Sequence, residues 1–343
     1  MKRKRKKDRA RRSKRTKPPG KQRRSTGPSD VTGAHINVPS AASLFRFRFL
    51  DPESSGLIDR AASWLKPFIG TRDKDAVTRI KRAKSAEELI ELVPLATGLG
   101  EPAWQERVRQ FGLEAVPLIS QRLAVLHETR EKELRHMMLE RLIGALRWQG
   151  DAGAKALLER FDGLDDYGRS LACVVLGLLD ERSAADKLWH FYQRVVHNRR
   201  ESYFVGALWG LIDLGDERAG EALADLMGQE RDFYELYGFL SLAGNARVIV
   251  PLLSRVAQES KENEQAAMAL VSIAHRIGRD AFMAELGKIV TSEEPVQERE
   301  TFVERCFSVP ESRAREYFGW FYRGLTSEDL AQAFSARTQA ETR

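Results

Sequence analysis

One segment of the chain places basic and aromatic side chains together in a way that suits contact with nucleic acid. This segment is LWHFYQRVVHNRR (188–200), and its candidate surface residues are His190, Arg194, His197, Arg199 and Arg200. Cationic side chains can contact phosphate, while aromatic rings can stack on bases. A structural interpretation competes, because apolar residues also recur there at helical spacing and would then pack into a core. Those residues are Leu188, Phe191, Tyr192 and Val195.

A second chemical signal is the run of cations that opens the chain, MKRKRKKDRARRSKRTK (1–17). Residues 1–24 contain fifteen Lys or Arg and one acid, Asp8. Cations that neutralise phosphates release counterions, so this tail can bind DNA or RNA without reading the base sequence. It has no aromatic residue for stacking, and we therefore expect non-specific, salt-sensitive attachment. The predicted nucleic-acid-binding residues are Lys2, Arg3, Lys4, Arg5, Lys6, Lys7, Arg9, Arg11, Arg12, Lys14, Arg15 and Lys17.

The remainder of the chain has the opposite net charge. It contains 41 of the 56 basic and 48 of the 49 acidic residues, so it carries −7 while residues 1–24 carry +14. Other uses of the tail therefore stay open. KRKRKK (2–7) would be a nuclear localisation signal in a eukaryotic cell. The tail could also bind anionic membrane, an acidic protein, or the acidic remainder of its own chain.

The sequence contains none of the common catalytic or phosphate-binding motifs. GxxxxGK[ST], GxGxxG, HExxH, GxSxG and CxxC are all absent. His190 and His197 are seven residues apart, but a structural zinc site needs four ligands. Acidic pairs such as Asp165–Asp166 and Asp216–Glu217 stand where helix caps are expected, although a paired acid–base site is an alternative. We predict no catalytic, cofactor-binding or metal-binding residue, and a protein that is not an enzyme.

The cysteines and the hydropathy pattern favour a soluble intracellular protein. Cys173 and Cys306 lie in apolar helical contexts and are expected to be buried free thiols rather than a disulfide framework. The longest run of apolar residues and glycine, 171–179, is far shorter than the roughly 20 residues of a membrane span. No apolar stretch follows the basic start, so no secretory signal is predicted. We expect a cytoplasmic protein associated with nucleic acid, or a nuclear one in a eukaryote.

Composition divides the chain into four predicted segments. Residues 1–44 lack aromatic residues and carry dense charge, so they are predicted to be a disordered basic tail. A helical capping region is predicted over 45–110, helical repeats over 111–292, and a helical cap over 293–343. The aromatic segment 315–325 is expected to close the last repeat or, alternatively, to dock a partner.

Two local patterns stand out within the predicted capping region. LFRFRFL (44–50) alternates Phe with Arg, which is typical of an extended segment. It could lie along the first helices or act as an aromatic–basic clip for a partner. Apolar residues over 57–69 recur at helical spacing. Ser85 followed by Glu88 predicts a capping box at the start of the next helix.

An irregular repeat runs through the predicted repeat region. Six segments align by eye, with apolar anchors spaced by 29 to 40 residues. The anchors are Leu118, Leu158, Leu188, Leu223, Leu252 and Leu286. Each later unit contains an apolar helix, a short turn and a second helix, and the turn residues suit a left-handed helix end. The turns are Gly150-Asp151, Asp180, Gly215-Asp216, Gly244-Asn245 and Gly278.

These units resemble HEAT repeats, especially the short bacterial-type repeats named after the phycobilisome lyases. The resemblance rests on the apolar first helix, the LGD turn at 214–216 and the second helix that follows, and it covers roughly 100–292. It implies an all-α, right-handed solenoid of antiparallel helix pairs. Family members act mostly as scaffolds and adaptors, which implies a protein partner in the groove. A few resemble enzymes such as DNA glycosylases or bilin lyases, which is the alternative function.

Overall fold

The described part of the protein consists of α-helices joined by short turns. The computed structural model describes residues 71–98, 100–198, 200–229, 233, 235–256, 263–289 and 296–318. Within these ranges the chain forms sixteen α-helices and no β-strand, which confirms the all-α prediction. The tail 1–44, the segment 44–50 and the predicted helix 57–69 lie outside the described residues, as does most of 315–325.

The helices are numbered here in chain order. The first eight are α1 (Thr71–Arg82), α2 (Ala86–Glu91), α3 (Gly100–Phe111), α4 (Ala115–Val125), α5 (Lys132–Leu146), α6 (Gly150–Arg160), α7 (Asp166–Leu178) and α8 (Ala185–Val195). The next eight are α9 (Phe204–Asp213), α10 (Arg218–Gly228), α11 (Leu236–Ala243), α12 (Ile249–Val256), α13 (Asn263–Ile277), α14 (Arg279–Ile289), α15 (Val296–Ser308) and α16 (Glu311–Tyr317).

A regular packing scheme relates these helices. From α1 to α15, each odd-numbered helix packs against the next odd-numbered helix. From α2 to α14, each even-numbered helix also packs against the odd-numbered helix that follows it. The burial of the side chains differs accordingly between the odd-numbered and the even-numbered helices. In α9 every residue from Phe204 to Leu211 is buried, whereas α8 buries only its apolar stripe, as an amphipathic surface helix does.

Most of the turns predicted from glycine and aspartate adopt the expected left-handed backbone. Gly150, Asp180, Gly215 and Gly278 all have positive φ. At Gly215 the φ is 67°, and the Asp216 N–H donates to the Leu211 carbonyl oxygen at 2.9 Å. This bond satisfies a carbonyl that the helix end would otherwise leave without a donor. The local turn chemistry therefore ends α5, α7, α9 and α13 where the sequence predicts.

The turn at Gly244-Asn245 is different, and the prediction of a left-handed conformation is wrong there. Gly244 has a φ of −57°. The guanidinium of Arg276, which lies near the end of α13, donates to the carbonyls that end α11, at 2.6 to 3.1 Å. A side chain from the next odd-numbered helix thus provides the donors that a left-handed turn would have provided. The accepting carbonyls belong to Leu240, Ser241, Leu242 and Gly244.

The aligned anchors are placed correctly in the later repeats but not in the first two. Leu188, Leu223, Leu252 and Leu286 are buried. Leu118 and Leu158 are only partly buried, while the adjacent Ile119 and Leu157 are fully buried. The alignment by eye is therefore shifted by one residue in α4 and α6. A shift of one residue rotates a helical position by about 100°, which is enough to move it off the core face.

Helices α7 and α9 are in close backbone contact. A Cβ atom placed on Gly210 would lie 2.3 Å from the Cys173 carbonyl oxygen, and one on Gly206 would lie 2.2 Å from the Ser170 carbonyl oxygen. Backbone atoms occupy the space that a side chain would need. The Ser170 hydroxyl also donates to the Tyr203 carbonyl at 2.9 Å. Glycine at these two positions therefore lets the two helix backbones pack directly against each other.

Candidate functional site

The aromatic and basic residues of 188–200 separate into a buried and an exposed set. Leu188, Phe191, Tyr192 and Val195 are buried, which confirms that the apolar stripe of α8 is core. His190, Arg194, His197 and Arg200 are exposed, and Arg199 lies outside the described residues. Of the exposed set, His190 and Arg194 face one pocket beside α8. The aromatic rings of this segment are thus largely unavailable for stacking on bases.

The pocket beside α8 has a volume of about 540 Å³ and lies between α8 and the α6–α7 region. Phe161 and Phe191 line it and meet edge to face, with their ring centroids 6.0 Å apart. The other lining residues are Asp162, Arg169, Ser183, Asp186, Lys187, His190 and Arg194. Cationic side chains therefore come together at this pocket, but they share the space with acidic ones.

Acidic side chains neutralise the cations of this pocket. Lys187 Nζ lies 2.6 Å from Asp162 Oδ2. Arg194 Nη2 lies 2.6 Å from Asp166 Oδ1, and the same oxygen is 3.3 Å from Arg169 Nη1. A phosphate would have to displace these carboxylates. The sequence placed Asp166 at a helix start but could not indicate that it would meet Arg194, which lies 28 residues later.

The ion pairs beside α8 belong to a longer series, which we call the ion-pair ladder. In each case a polar or cationic side chain at an even-numbered helix bonds to a neighbouring element. Arg218 Nη1 lies 2.7 Å from Asp186 Oδ1, and Arg247 pairs with both Glu221 and Asp225. The remaining members are Arg122 with Glu91, Arg160 with Ser120, Lys187 with Asp162, and Arg279 with Glu304.

The main effect of the ion-pair ladder is to pair the cations of these helices, and its contribution to the free energy of folding is small. Exposed ion pairs of this kind contribute about 0–1 kcal/mol each. At Arg218 the hydrogen bond from the guanidinium to Asp216 raises the pKa of the arginine, and the same bond lowers the pKa of Asp216. Both groups therefore stay charged together. Apart from Arg160, which bonds to the Ser120 hydroxyl, the ladder cations are paired with acidic side chains of the protein, which limits their availability to an external polyanion.

A buried polar cluster joins α3, α5 and α7. Arg141 is only 5% exposed; it pairs with Glu101 at 2.9 Å and with Glu140 at 3.1 Å, and its Nε donates to the Ala96 carbonyl. The hydroxyl of Tyr167 donates to Glu140. Breaking a buried pair by removing one partner typically costs 3–5 kcal/mol, so the cluster is expected to hold these helices in register. No sequence motif predicts this buried cluster, because its members come from three helices.

Two buried ionisable groups have pKa values that burial displaces. His136 stacks on Tyr167 with ring centroids 3.8 Å apart, and burial lowers the pKa of this imidazole. Glu235 precedes α11, is 4% exposed, and burial raises the pKa of its carboxyl to about 7. Burial therefore favours the neutral form of both groups, that of His136 increasingly as the pH rises and that of Glu235 increasingly as the pH falls.

The two cysteines are buried and free, as predicted. Burial raises the pKa of the Cys306 thiol to about 11 and also raises the pKa of the Cys173 thiol. Both thiols are therefore protonated at neutral pH, and a protonated thiol is a poor nucleophile. These positions act as small apolar residues in the core.

The described helices were compared with the requirements of a metal site and of a membrane-spanning helix. Nowhere among them do three His, Cys, Asp or Glu side chains come close enough together to hold a metal ion. None of them is both long and apolar enough to span a lipid bilayer.

Asp165 is confirmed as a helix cap, since its side chain accepts the Gly168 N–H at 2.8 Å. Ser85 likewise accepts the Glu88 N–H, although Glu88 bonds back to the Lys84 N–H rather than to that of Ser85.

Comparison of the chain with protein-family models, with curated proteins and with solved structures finds no match. The candidate sites therefore stand on the geometry and the charge pattern of this chain.

Proposed function

We propose that this protein is a non-enzymatic scaffold built as a right-handed, HEAT-like solenoid that binds a protein partner in its groove. The regular packing of odd- and even-numbered helices supports this proposal, because side-by-side stacking of helix pairs buries one continuous core. The left-handed turns at Gly150, Asp180, Gly215 and Gly278 lie at the same place in four of the helix pairs and support it further. Proteins of this architecture offer an extended surface rather than a single deep site.

The basic tail is proposed to attach the protein to DNA or RNA without sequence preference. The observation that carries this proposal is the separation of charge, +14 in residues 1–24 and −7 in the remainder. The pairing of cations in the ion-pair ladder adds support, since it leaves the tail as the densest source of uncompensated positive charge. Binding by counterion release then gives affinity that falls steeply with salt.

The nucleic-acid part of the proposal is tested in the full chain by replacing the twelve predicted cations of residues 1–17 with glutamine. Binding to labelled duplex DNA and duplex RNA is measured by fluorescence anisotropy between about 50 and 200 mM salt. The original protein is expected to lose affinity steeply over this range, roughly 10³-fold or more if six or more phosphates are contacted. The variant should bind weakly at every salt concentration. Equal binding by the two proteins would refute attachment through the tail.

The scaffold part is tested by affinity purification of the full chain and of the tail variant, each with and without nuclease. Proteins that remain bound to both after nuclease treatment belong to the helical part. If every co-purified protein disappears on nuclease treatment, the proposed protein partner in the groove is wrong.

A further inference from the structure

Helix α1 and the residues just after it present a second basic surface, which lies in the part of the chain that the structure describes. Residues 74–84 contain five Lys or Arg and one Asp, a local charge of +4 within a remainder whose total is −7. The core side of α1 is formed by Ile80, which is fully buried, and by Ala83 just beyond the helix, while α1 packs against α3. The cations Lys74, Arg79, Arg82 and Lys84 are all exposed. We call these four residues the α1 basic face.

The α1 basic face differs from the ion-pair ladder because, among the described residues, its side chains have no acidic partner. Within that part of the chain, the side chain of none of the four forms an ion pair or a hydrogen bond, whereas the ladder cations each bond to a neighbouring helix or turn. Several cations along the even-numbered helices are therefore paired, whereas four unpaired cations lie close together in sequence on α1 and just after it. Clustered like charges repel one another, so an arrangement of this kind is stabilised by an external anion.

The helix dipole explains part of this pattern but not all of it. Cations in the last turn of a helix are favoured by about 0.3–1 kcal/mol each, which covers Arg79 and Arg82. Lys74 lies in the first half of α1, where a cation gains nothing from the dipole. Lys74 and Arg82 are eight residues apart, about 12 Å along the helix, which matches the length of three or four phosphates on one strand.

We propose that the α1 basic face binds the phosphate backbone of a nucleic acid and so fixes the orientation of the protein on a strand that the positive charge of the tail only attracts. This inference rests on the proposed attachment to nucleic acid and names a second set of residues for it. A membrane surface is the less suitable partner. A helix that binds the bilayer interface inserts an apolar face, but the apolar face of α1 is already buried against the protein core.

The test replaces Lys74, Arg79, Arg82 and Lys84 with glutamine in the full chain. A control variant carries the same change at four exposed, unpaired cations elsewhere, Arg130, Lys155, Arg305 and Arg313. Both variants lose four positive charges, so only the position of the charge differs. Helical circular dichroism and the thermal midpoint establish that each variant is folded. Binding to a labelled duplex is then measured as a function of salt.

The α1 variant is expected to bind at least about tenfold more weakly at low salt, and its plot of log K against log salt should be shallower by about 3. The control variant should keep the original slope within about 1. Equal effects of the two variants would overturn the proposal, because the loss would then reflect net charge alone. The proposal would also be overturned, in favour of a membrane partner, if the α1 variant lost binding to vesicles that contain phosphatidylserine but bound the duplex as well as the original protein does.

Combination with the glutamine-substituted tail separates this inference from the proposed function. If the tail substitution abolishes binding and the α1 substitution has no effect in either background, the tail proposal stands and the α1 proposal fails. If the tail substitution leaves binding intact and the α1 substitution removes it, the α1 proposal stands and the tail proposal fails. Weaker binding from each change alone, and weaker still from both, supports both proposals.

Discussion

Glu235 is the described residue whose charge the fold opposes most clearly. Its side chain is almost completely buried, and burial raises the pKa of the carboxyl from 4.5 to about 7. A group whose pKa is raised by folding stabilises the protein below its unfolded pKa and loses that contribution as the pH rises through the folded value. For Glu235 the stabilising contribution is therefore complete below about pH 4.5 and is lost towards pH 7 and above.

Replacing Glu235 with glutamine is predicted to stabilise the protein at alkaline pH relative to acidic pH. The variant keeps a polar side chain of similar size but never has to bury a negative charge. The difference in unfolding free energy, variant minus original, should rise by roughly 2–3 kcal/mol between about pH 5 and pH 8.5. Urea unfolding at both pH values measures it. A difference that does not change with pH would show that the carboxyl titrates normally in the folded protein.

His136 changes the free energy of unfolding with pH in the direction opposite to Glu235, so its effect has to be separated from that of Glu235. Burial lowers the pKa of this imidazole below its usual 6.5. Its contribution to stability is therefore present above about pH 6.5 and is lost as the pH falls through the folded pKa. Because both proteins in the Glu235 experiment contain His136, the difference between them removes this background.

The contact between α7 and α9 shows how small residues determine the spacing of two helices. Gly210 meets the Cys173 carbonyl oxygen and the side chain of Leu188, which any added methyl group would strike. A flexible side chain could move aside, but a backbone carbonyl can move only if its helix moves. Since α7 also packs on α5 and α9 packs on α11, such a shift would disturb several neighbours.

The Gly210→Ala variant is therefore predicted to lose about 1–3 kcal/mol of stability, in spite of the higher helix propensity of alanine. Gly228→Ala is the matched control, because nothing lies within 4 Å of a Cβ placed at that position of α10. The control should be neutral or gain up to about 1 kcal/mol. Chemical denaturation followed by circular dichroism compares the two. Equal stability of the two variants would contradict the close contact described for α7 and α9.

At the scale of the whole molecule, the depth of burial varies between the middle of the described chain and its first and last described helices. The central helices α7 and α9 are buried on nearly every side. By contrast, among the residues whose burial the structure describes, α1 buries Ile80 alone within its own length and α16 buries Ala314 alone. Local opening is easiest where few apolar contacts must be broken.

Hydrogen exchange is predicted to follow this gradient. The backbone amides of α7 and α9 should exchange most slowly, and those of α1 and α16 should exchange faster by several orders of magnitude. Exchange measured by mass spectrometry on the full chain resolves the individual helices. Uniform protection from α1 to α16 would mean that the helices open only together, which would argue against stacking of separate pairs.

Local patterns alone were enough to predict much of this protein. The all-helical class, the caps at Ser85 and Asp165, and the left-handed turns at Asp180 and Gly215 all depend on residues within a few positions of one another. Burial of the cysteines likewise follows from the apolar residues around each of them. Such features are encoded in short stretches, because capping bonds, turn geometry and helical periodicity are local.

Contacts between distant residues were decided only by the tertiary structure. The turn at Gly244 depends on Arg276, and the availability of Arg194 to phosphate depends on Asp166. The unpaired cations of α1 became visible only when the neighbours of each charge were known. Sequence shows which residues carry charge, but pairing requires two side chains within about 4 Å, and helix packing sets that distance. The sequence therefore determined the helices and the excess of positive charge at the start of the chain, and the packing of those helices decided which cations remain available to a partner.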